Sequence, residues 1–180
     1  EIDVTFAEET NGVDGEGRDV FQPYVREEDT LARGWAVPGT PDLEHQIGGL
    51  EKEHETGNVS YDPENHQKMT EIRAEKIQRI TQDIPPTNIN GPDAGDVLIV
   101  GWGSTKGAIE TASDRLQAEG HAVSNVHLRH LSPLPADVED IADRFDRVLV
   151  PELNNGQLVR VLRDRLGRPA EGLNKVQGQP

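Results

Sequence analysis

Three stretches of this sequence gather residue types that do chemistry. In Gly101-Trp102-Gly103-Ser104-Thr105-Lys106-Gly107, glycines, hydroxyls and a lysine crowd one short turn. Such a turn at a helix start exposes backbone amides that suit an anion. It reads G-x-G-x-x-x-G, one residue longer than the common dinucleotide fingerprint, and His127 and Arg129 stand at the end of the next strand, where they would meet a 2′-phosphate. An NADP- or anion-binding site over residues 101–107 is therefore one reading. The other, which we expect, is a structural turn, with Gly101 and Gly103 serving backbone angles and Ser104 or Thr105 held in the turn, Ser104 as the helix cap.

The second stretch is Glu44-His45-Gln46, and nearby is Glu53-His54-Glu55. Histidines among carboxylates suggest a hard or borderline metal, but no regular ligand spacing is met and glycines at 48, 49 and 57 loosen the pair, so both read as solvated. His121, His127 and His130 flank a strand with no serine or carboxylate at a triad-like spacing, and pattern alone assigns them no chemistry. The third stretch, Pro151-Glu152-Leu153-Asn154-Asn155-Gly156-Gln157-Leu158, puts polar groups at a strand end, where open α/β sheets gather ligands or partners. Asn154 or Asn155 equally suits a helix cap, so Asn154, Gly156 and Gln157 are interface candidates with that alternative open.

The elements that must position these residues divide near Pro85-Pro86. From Asp96 on, Val97-Leu98-Ile99-Val100 reads as a buried strand, and a helix with Ile109, Ala112 and Leu116 on one face follows the glycine turn. Gly120 ends that helix, 122–128 reads as a second strand, and a short helix carries Val138, Ile141, Ala142 and Phe145. A third strand spans 147–150 and a third helix 156–166, with Leu158, Val161, Leu162 and Leu166 inward. Strands alternating with helices require right-handed crossovers, hence an α/β domain with a parallel sheet, βαβαβα, over 89–180.

Before the divide the texture is loop-like. Residues 1–6 suggest a short strand, 11–58 a long irregular connection anchored by Phe21, Tyr24, Trp35 and Leu50, and Asp62-Pro63 the start of a helix. Met69, Ile72, Ile77, Ile80 and Ile84 give that helix a broken apolar stripe.

Composition narrows the function classes. A formal charge of −15 repels nucleic acid and anionic membranes. The acidic cluster around Glu44, Glu51, Glu53 and Glu55 reads as a solvated loop or a halotolerant surface. The absence of cysteine excludes a Cys-ligated zinc or iron–sulfur cluster held by this chain. With 33% hydrophobic and 4% aromatic residues, the chain is thinly supplied for an independent globule and is expected to lean on another surface. The opening Glu-Ile-Asp-Val and the lack of a long apolar run suggest a cytoplasmic piece of a longer protein.

Taken in order, seven segments carry a resemblance. They are Phe21-Gln22-Pro23-Tyr24 with Val37-Pro38-Gly39, Leu43-Glu44-His45, residues 57–63, Arg73-x-x-Lys76, residues 101–105, residues 127–133 and residues 151–158. Together the chain resembles the C-terminal part of the alpha subunit of thiamine-dependent 2-oxoacid:ferredoxin oxidoreductases, in wording most similar to the 2-oxoglutarate type. The resemblance implies that residues 1–88 close the domain receiving the thiamine pyrimidine ring, and that 89–180 form a transketolase C-terminal-like domain. It further implies a beta subunit that brings thiamine diphosphate, Mg2+ and a [4Fe-4S] cluster, coenzyme A as acyl acceptor, and ferredoxin as electron acceptor through the complex. On this reading the fragment is mainly scaffold and subunit interface, and is inactive alone. Glu44, His45 and Gln46 are its pocket or interface candidates. Many relatives carry Glu-His-Asp where this chain has Glu44-His45-Gln46, so a charge-based role at the third position is lost while an amide remains. The family's substrate-reading Thr and Arg motifs precede the first residue of this chain.

Overall fold

Turn-forming residues with little apolar repetition cannot build long ladders, and the first part of the chain shows the consequence. The computed structural model describes residues 4–177, and internal contacts divide the chain into two units, residues 1–80 and 81–180. In the first unit β1 (Phe6–Ala7) lies parallel to β4 (Trp35–Ala36), and β2 (Gly12–Val13) pairs antiparallel with β3 (Asp19–Val20). Asp14 shapes the β2–β3 turn by accepting from the amides of Glu16 and Arg18 at 2.8 and 3.0 Å. Residues 11–58 are otherwise irregular, as composition indicated. Of the strand expected over 1–6, residues 1–3 lie outside the described residues, and the observed pairing begins at Phe6.

α1 (Pro63–Arg79) starts where the sequence indicates: the Asp62 carboxylate accepts from the Glu64 amide at 2.9 Å and Pro63 occupies the first turn. Its apolar stripe is shallower than expected. Met69 is fully buried, whereas Ile77 and Ile80 are exposed. Polar ties hold the helix: Asn65 accepts from the His54 amide and donates to the Lys52 carbonyl, both at 2.9 Å, and Arg79 donates to the Asp29 carbonyl at 2.9 Å.

The second unit runs β5 (Ile89–Asn90), β6 (Gly95–Trp102), α2 (Lys106–Ala118), β7 (Val123–Leu128), α3 (Val138–Ala142), β8 (Phe145–Glu152), α4 (Leu158–Leu166) and β9 (Glu171–Asn174). The strand order is β5-β7-β6-β8-β9. β6, β7, β8 and β9 are parallel, with Leu98 opposite Ser124 on one side and Val148 on the other, while β5 runs antiparallel to β7. The fold is thus α/β with a mostly parallel sheet. Alternation along β6 serves two cores. Leu98 and Val100 join Val126, Val148, Leu158 and Leu162 under α3 and α4, and Ile99 meets Ile109 under α2.

Four readings from sequence are corrected. The sheet is mixed and five-stranded, because β5 pairs antiparallel with β7 and β9 joins at the other edge, and neither of these short strands carries an apolar alternation. Phe145 opens β8, since α3 ends at Ala142. Within α4 the inward residue is Val159, and Val161 is 41% exposed. Gly101 and Trp102 belong to β6, so the turn itself starts at Gly103. Among the described residues no helix is long and apolar enough to cross a membrane.

Candidate functional site

The first parallel strand, β6, has β7 on one side and β8 on the other, so the chain reverses its direction of growth between β6 and β8. Beyond the carboxyl ends of two such strands an open sheet offers its ligand crevice. Trp102, Gly103, Ser104 and Thr105 face Leu153 and Asn154 here across a cleft of 240 Å³.

Gly101 lies close under α2: a Cβ built on it would stand 2.5 Å from Cδ1 of Ile109, so a larger residue there would need the Ile109 side chain to shift. Gly103 has φ 58°, the left-handed region that favours glycine. Gly107 lies inside α2 with open space around it, so nothing in the packing there calls for glycine. Ser104 is not the helix cap: it sits within the 3-10 turn Gly103–Thr105, and Thr105 occupies the position preceding α2. Thr105 Oγ1 donates to the Trp102 carbonyl at 2.8 Å and closes that turn.

The main finding of this region is Glu152, which sequence reasoning quoted without giving a role. Its side chain is 2% exposed. Oε1 accepts from the Leu158 amide at 2.8 Å, Asn154 Nδ2 at 3.1 Å and Trp102 Nε1 at 3.2 Å, and Oε2 accepts from the Val159 amide at 3.1 Å. Burial alone pushes this carboxyl upward. The Leu158 and Val159 amides, with Asn154 and Trp102, outweigh it and hold Glu152 below the ordinary glutamate value. Asn154 Oδ1 accepts from Gly156 and Gln157 amides at 2.8 and 3.0 Å. Asn154, Gly156 and Gln157 are thus gathered into one loop, and Asn154 braces the turn ahead of α4 as the sequence alternative allowed.

The positive end of α4 is therefore filled by the protein's own carboxylate. A phosphate in the small cleft between Trp102, Gly103–Thr105 and Asn154 would meet that buried anion, which favours a structural turn on that side. NADPH at micromolar concentrations is accordingly expected to leave Trp102 fluorescence unchanged in a Trp35→Phe background. Saturable quenching would contradict this.

In the first unit, Asp42 adopts φ 64° and Leu43 is buried, which fixes the start of the loop carrying Glu44, His45 and Gln46. His45 Nδ1 lies 2.8 Å from the Leu43 carbonyl, and its ring meets Phe21 edge-on at 5.3 Å. A carbonyl only accepts, so Nδ1 donates and Nε2 is the nitrogen left for other partners. Glu44, His45 and Gln46 share the wall of a 740 Å³ cleft with Asp14, Gln22 and Asn58. His54 is instead 3.1 Å from Glu55, and among the described residues no three His, Asp or Glu side chains are grouped to hold a metal.

Two further buried polar residues escaped sequence reasoning. Lys52 is buried with no hydrogen-bond partner for Nζ among the described residues, and Asn125 on β7 has an unsatisfied Nδ2. No pattern signals either. Glu152 had one available signal, a carboxylate immediately ahead of a Leu-Asn-Asn-Gly turn into a helix. His127 is half-buried on β7, where burial, then the nearby Lys106, holds its imidazole below the ordinary value.

Comparison with known proteins agrees with this architecture. A family model, the core domain II of pyruvate:ferredoxin oxidoreductase, matches residues 95–178. The 2-oxoglutarate oxidoreductase subunit KorA of Mycobacterium tuberculosis is 43% identical over 159 residues, covering 88% of this chain and 24% of that protein. The alpha subunit of 2-oxoacid:ferredoxin oxidoreductase 1 of Aeropyrum pernix is 38% identical over 106 residues, covering 56% of this chain and 17% of that protein. A solved 2-oxoglutarate:ferredoxin oxidoreductase from Magnetococcus marinus, with 2-oxoglutarate, coenzyme A and succinyl-CoA bound, superposes with a TM-score of 0.82 at 32% identity, covering 96% of this chain and 30% of that one. The chain thus spans at most about a quarter of the length of these curated relatives. With the seven ordered segments, the matched domain and a superposition that extends through both units, the chain belongs to the family of 2-oxoacid:ferredoxin oxidoreductase alpha subunits.

Proposed function

We propose that this chain is part of a cytoplasmic, thiamine-dependent 2-oxoglutarate:ferredoxin oxidoreductase, which oxidatively decarboxylates 2-oxoglutarate to succinyl-CoA and reduces ferredoxin. The similarity that carries this reading is the likeness to the Magnetococcus marinus enzyme over 96% of the chain. In the proposal, residues 1–88 close the thiamine pyrimidine-binding domain and residues 89–180 are the transketolase C-terminal-like domain. A beta subunit brings thiamine diphosphate, Mg2+ and the [4Fe-4S] cluster. This chain has no cysteine to ligate a cluster and no grouped donors for a metal among the described residues, so its own residues do not fit those two groups.

The chain's share is scaffold and subunit interface. The first unit supports this by leaving Trp35 65% exposed and Tyr61 85% exposed, with Ile47 and Leu50 also open to solvent. Such apolar surface suits coverage by another protein surface. Lys52 supports it too, because its buried Nζ has no hydrogen-bond partner among the described residues and a buried donor calls for an acceptor. Asn154, Gly156 and Gln157 remain interface candidates at the strand ends.

His45 tests the proposal within the complex. With Nδ1 committed to Leu43, Nε2 and the carboxylate and amide of Glu44 and Gln46 are the polar groups the loop offers a bound ligand. We expect His45→Ala in the full complex to lower kcat by about tenfold, the loss of one hydrogen bond strengthened in the transition state, with subunits still co-eluting on gel filtration. Unchanged turnover in an intact complex would remove His45 from the site. Co-purification of the full-length subunit with a cysteine-containing partner carrying iron tests the assembly itself. A subunit that stays alone and yet turns over would overturn it.

A further inference from the structure

The sheet face that carries α2 holds a second cleft, of 320 Å³, that the proposed reaction does not use. Lys106 and Glu110 enter it from one face of α2, and Asn125 and His127, two residues apart on β7, form its floor. Arg129 and His130 follow at the strand end and line the same space. The opposite wall is pinned by carboxylates that are already engaged: Asp137 accepts from Thr87 Oγ1 at 2.6 Å, and Asp114 accepts from Asn90 Nδ2 at 3.2 Å. We propose that this cleft binds a small dianion, a phosphate or dicarboxylate, between Lys106 on one side and Arg129 on the other, with Asn125 donating from the floor.

Three observations converge on this. Asn125 is 3% exposed and its Nδ2 has no acceptor among the described residues. Buried donors are nearly always paired, so this one calls for an acceptor, and an anion oxygen is one. Second, two permanent cations and two imidazoles gather in a chain whose formal charge is −15, against the average field of the molecule. Third, Arg129 makes no ion pair among the described residues, and Lys106 has only a long contact to Glu110 at 3.6 Å between exposed groups. Both cations are therefore available. A water molecule would satisfy Asn125 but would leave these charges unmatched. The volume sits at the lower end of small-ligand cavities, which span about 300–1,000 Å³, so the ligand is a compact one.

The charge pattern gives the test an opposite-sign pair of variants. Titration calorimetry of the purified complex with inorganic phosphate, and separately with succinate, is expected to show saturable binding of at least one anion. Arg129→Gln should weaken that binding about tenfold or more, through loss of a charge-assisted contact. Glu110→Gln, which removes the one carboxylate inside the cleft, should tighten it several-fold. Both positions are on the surface, and unchanged thermal melting would show that each variant folds. Phosphate binding without succinate binding, or the reverse, names the ligand class while supporting the site. Absence of binding for both anions, or dissociation constants that neither substitution moves, would overturn the proposal.

Discussion

Glu152→Ala is expected to lower unfolding free energy by about 3–5 kcal/mol, the scale seen when one partner is removed from a buried, charged hydrogen-bond network. Four donors converge on this carboxylate, from Trp102, Asn154, Leu158 and Val159. Alanine leaves all four without an acceptor in a space closed to water, which costs more than the bonds themselves are worth. Glu152→Gln keeps one acceptor oxygen but turns a second group into a donor facing donors, so it should destabilise less than alanine and still measurably. The same geometry predicts a pH dependence. Because the folded pKa is held below the unfolded value, the stabilisation is complete above the ordinary glutamate range and is lost as pH falls through the lower folded value. Glu152→Ala should therefore be most destabilised relative to the parent at neutral pH, with the gap closing in acid. Chemical denaturation at two pH values measures both effects, and a constant gap would contradict the assignment of the charge to Glu152.

Leu162→Ala is expected to cost about 2–5 kcal/mol, the range for truncating a fully buried leucine. Leu162 is 0% exposed in the larger core, where α4 meets the β6 and β8 strands. It and Glu152 secure one helix in different ways: the carboxylate binds its first turn and the leucine its middle. If α4 docks as a unit, the double variant should be less destabilised than the two losses added, because a helix already released has little left to lose. Full additivity would show that the two attachments act independently.

The parts of this fold that were legible in the sequence are those where a local rule and the tertiary environment agree. Asp62 and Pro63 name a helix start because cap geometry is local, and Val97 to Val100 names a strand because a run buried on both faces has no polar residue to hide. β9 was silent. Its four residues are all exposed and are placed by pairing with β8, a long-range event that leaves no alternation in the sequence. Phe145 was drawn into the helix since it continues the spacing of Val138 and Ile141, but α3 has already ended and the side chain packs from the strand. The candidate sites divide in the same way. The glycines of the 101–107 turn could be seen, yet their purpose rests on where Ile109 and Glu152 lie in space. Glu152 itself stood in a quoted motif, and only folding reveals that its charge is spent on α4.

The proposed role in a 2-oxoglutarate:ferredoxin oxidoreductase can be tested on the whole enzyme. The most direct measurement is ferredoxin reduction by the full-length complex under anaerobic conditions, with 2-oxoglutarate and coenzyme A supplied together or singly and the acyl-CoA product identified by mass. Sustained turnover that needs both substrates and yields succinyl-CoA, with none from the 180-residue chain alone, is the predicted result. Turnover by the isolated chain, or a complex that reduces ferredoxin with other 2-oxoacids but not with 2-oxoglutarate, would contradict it.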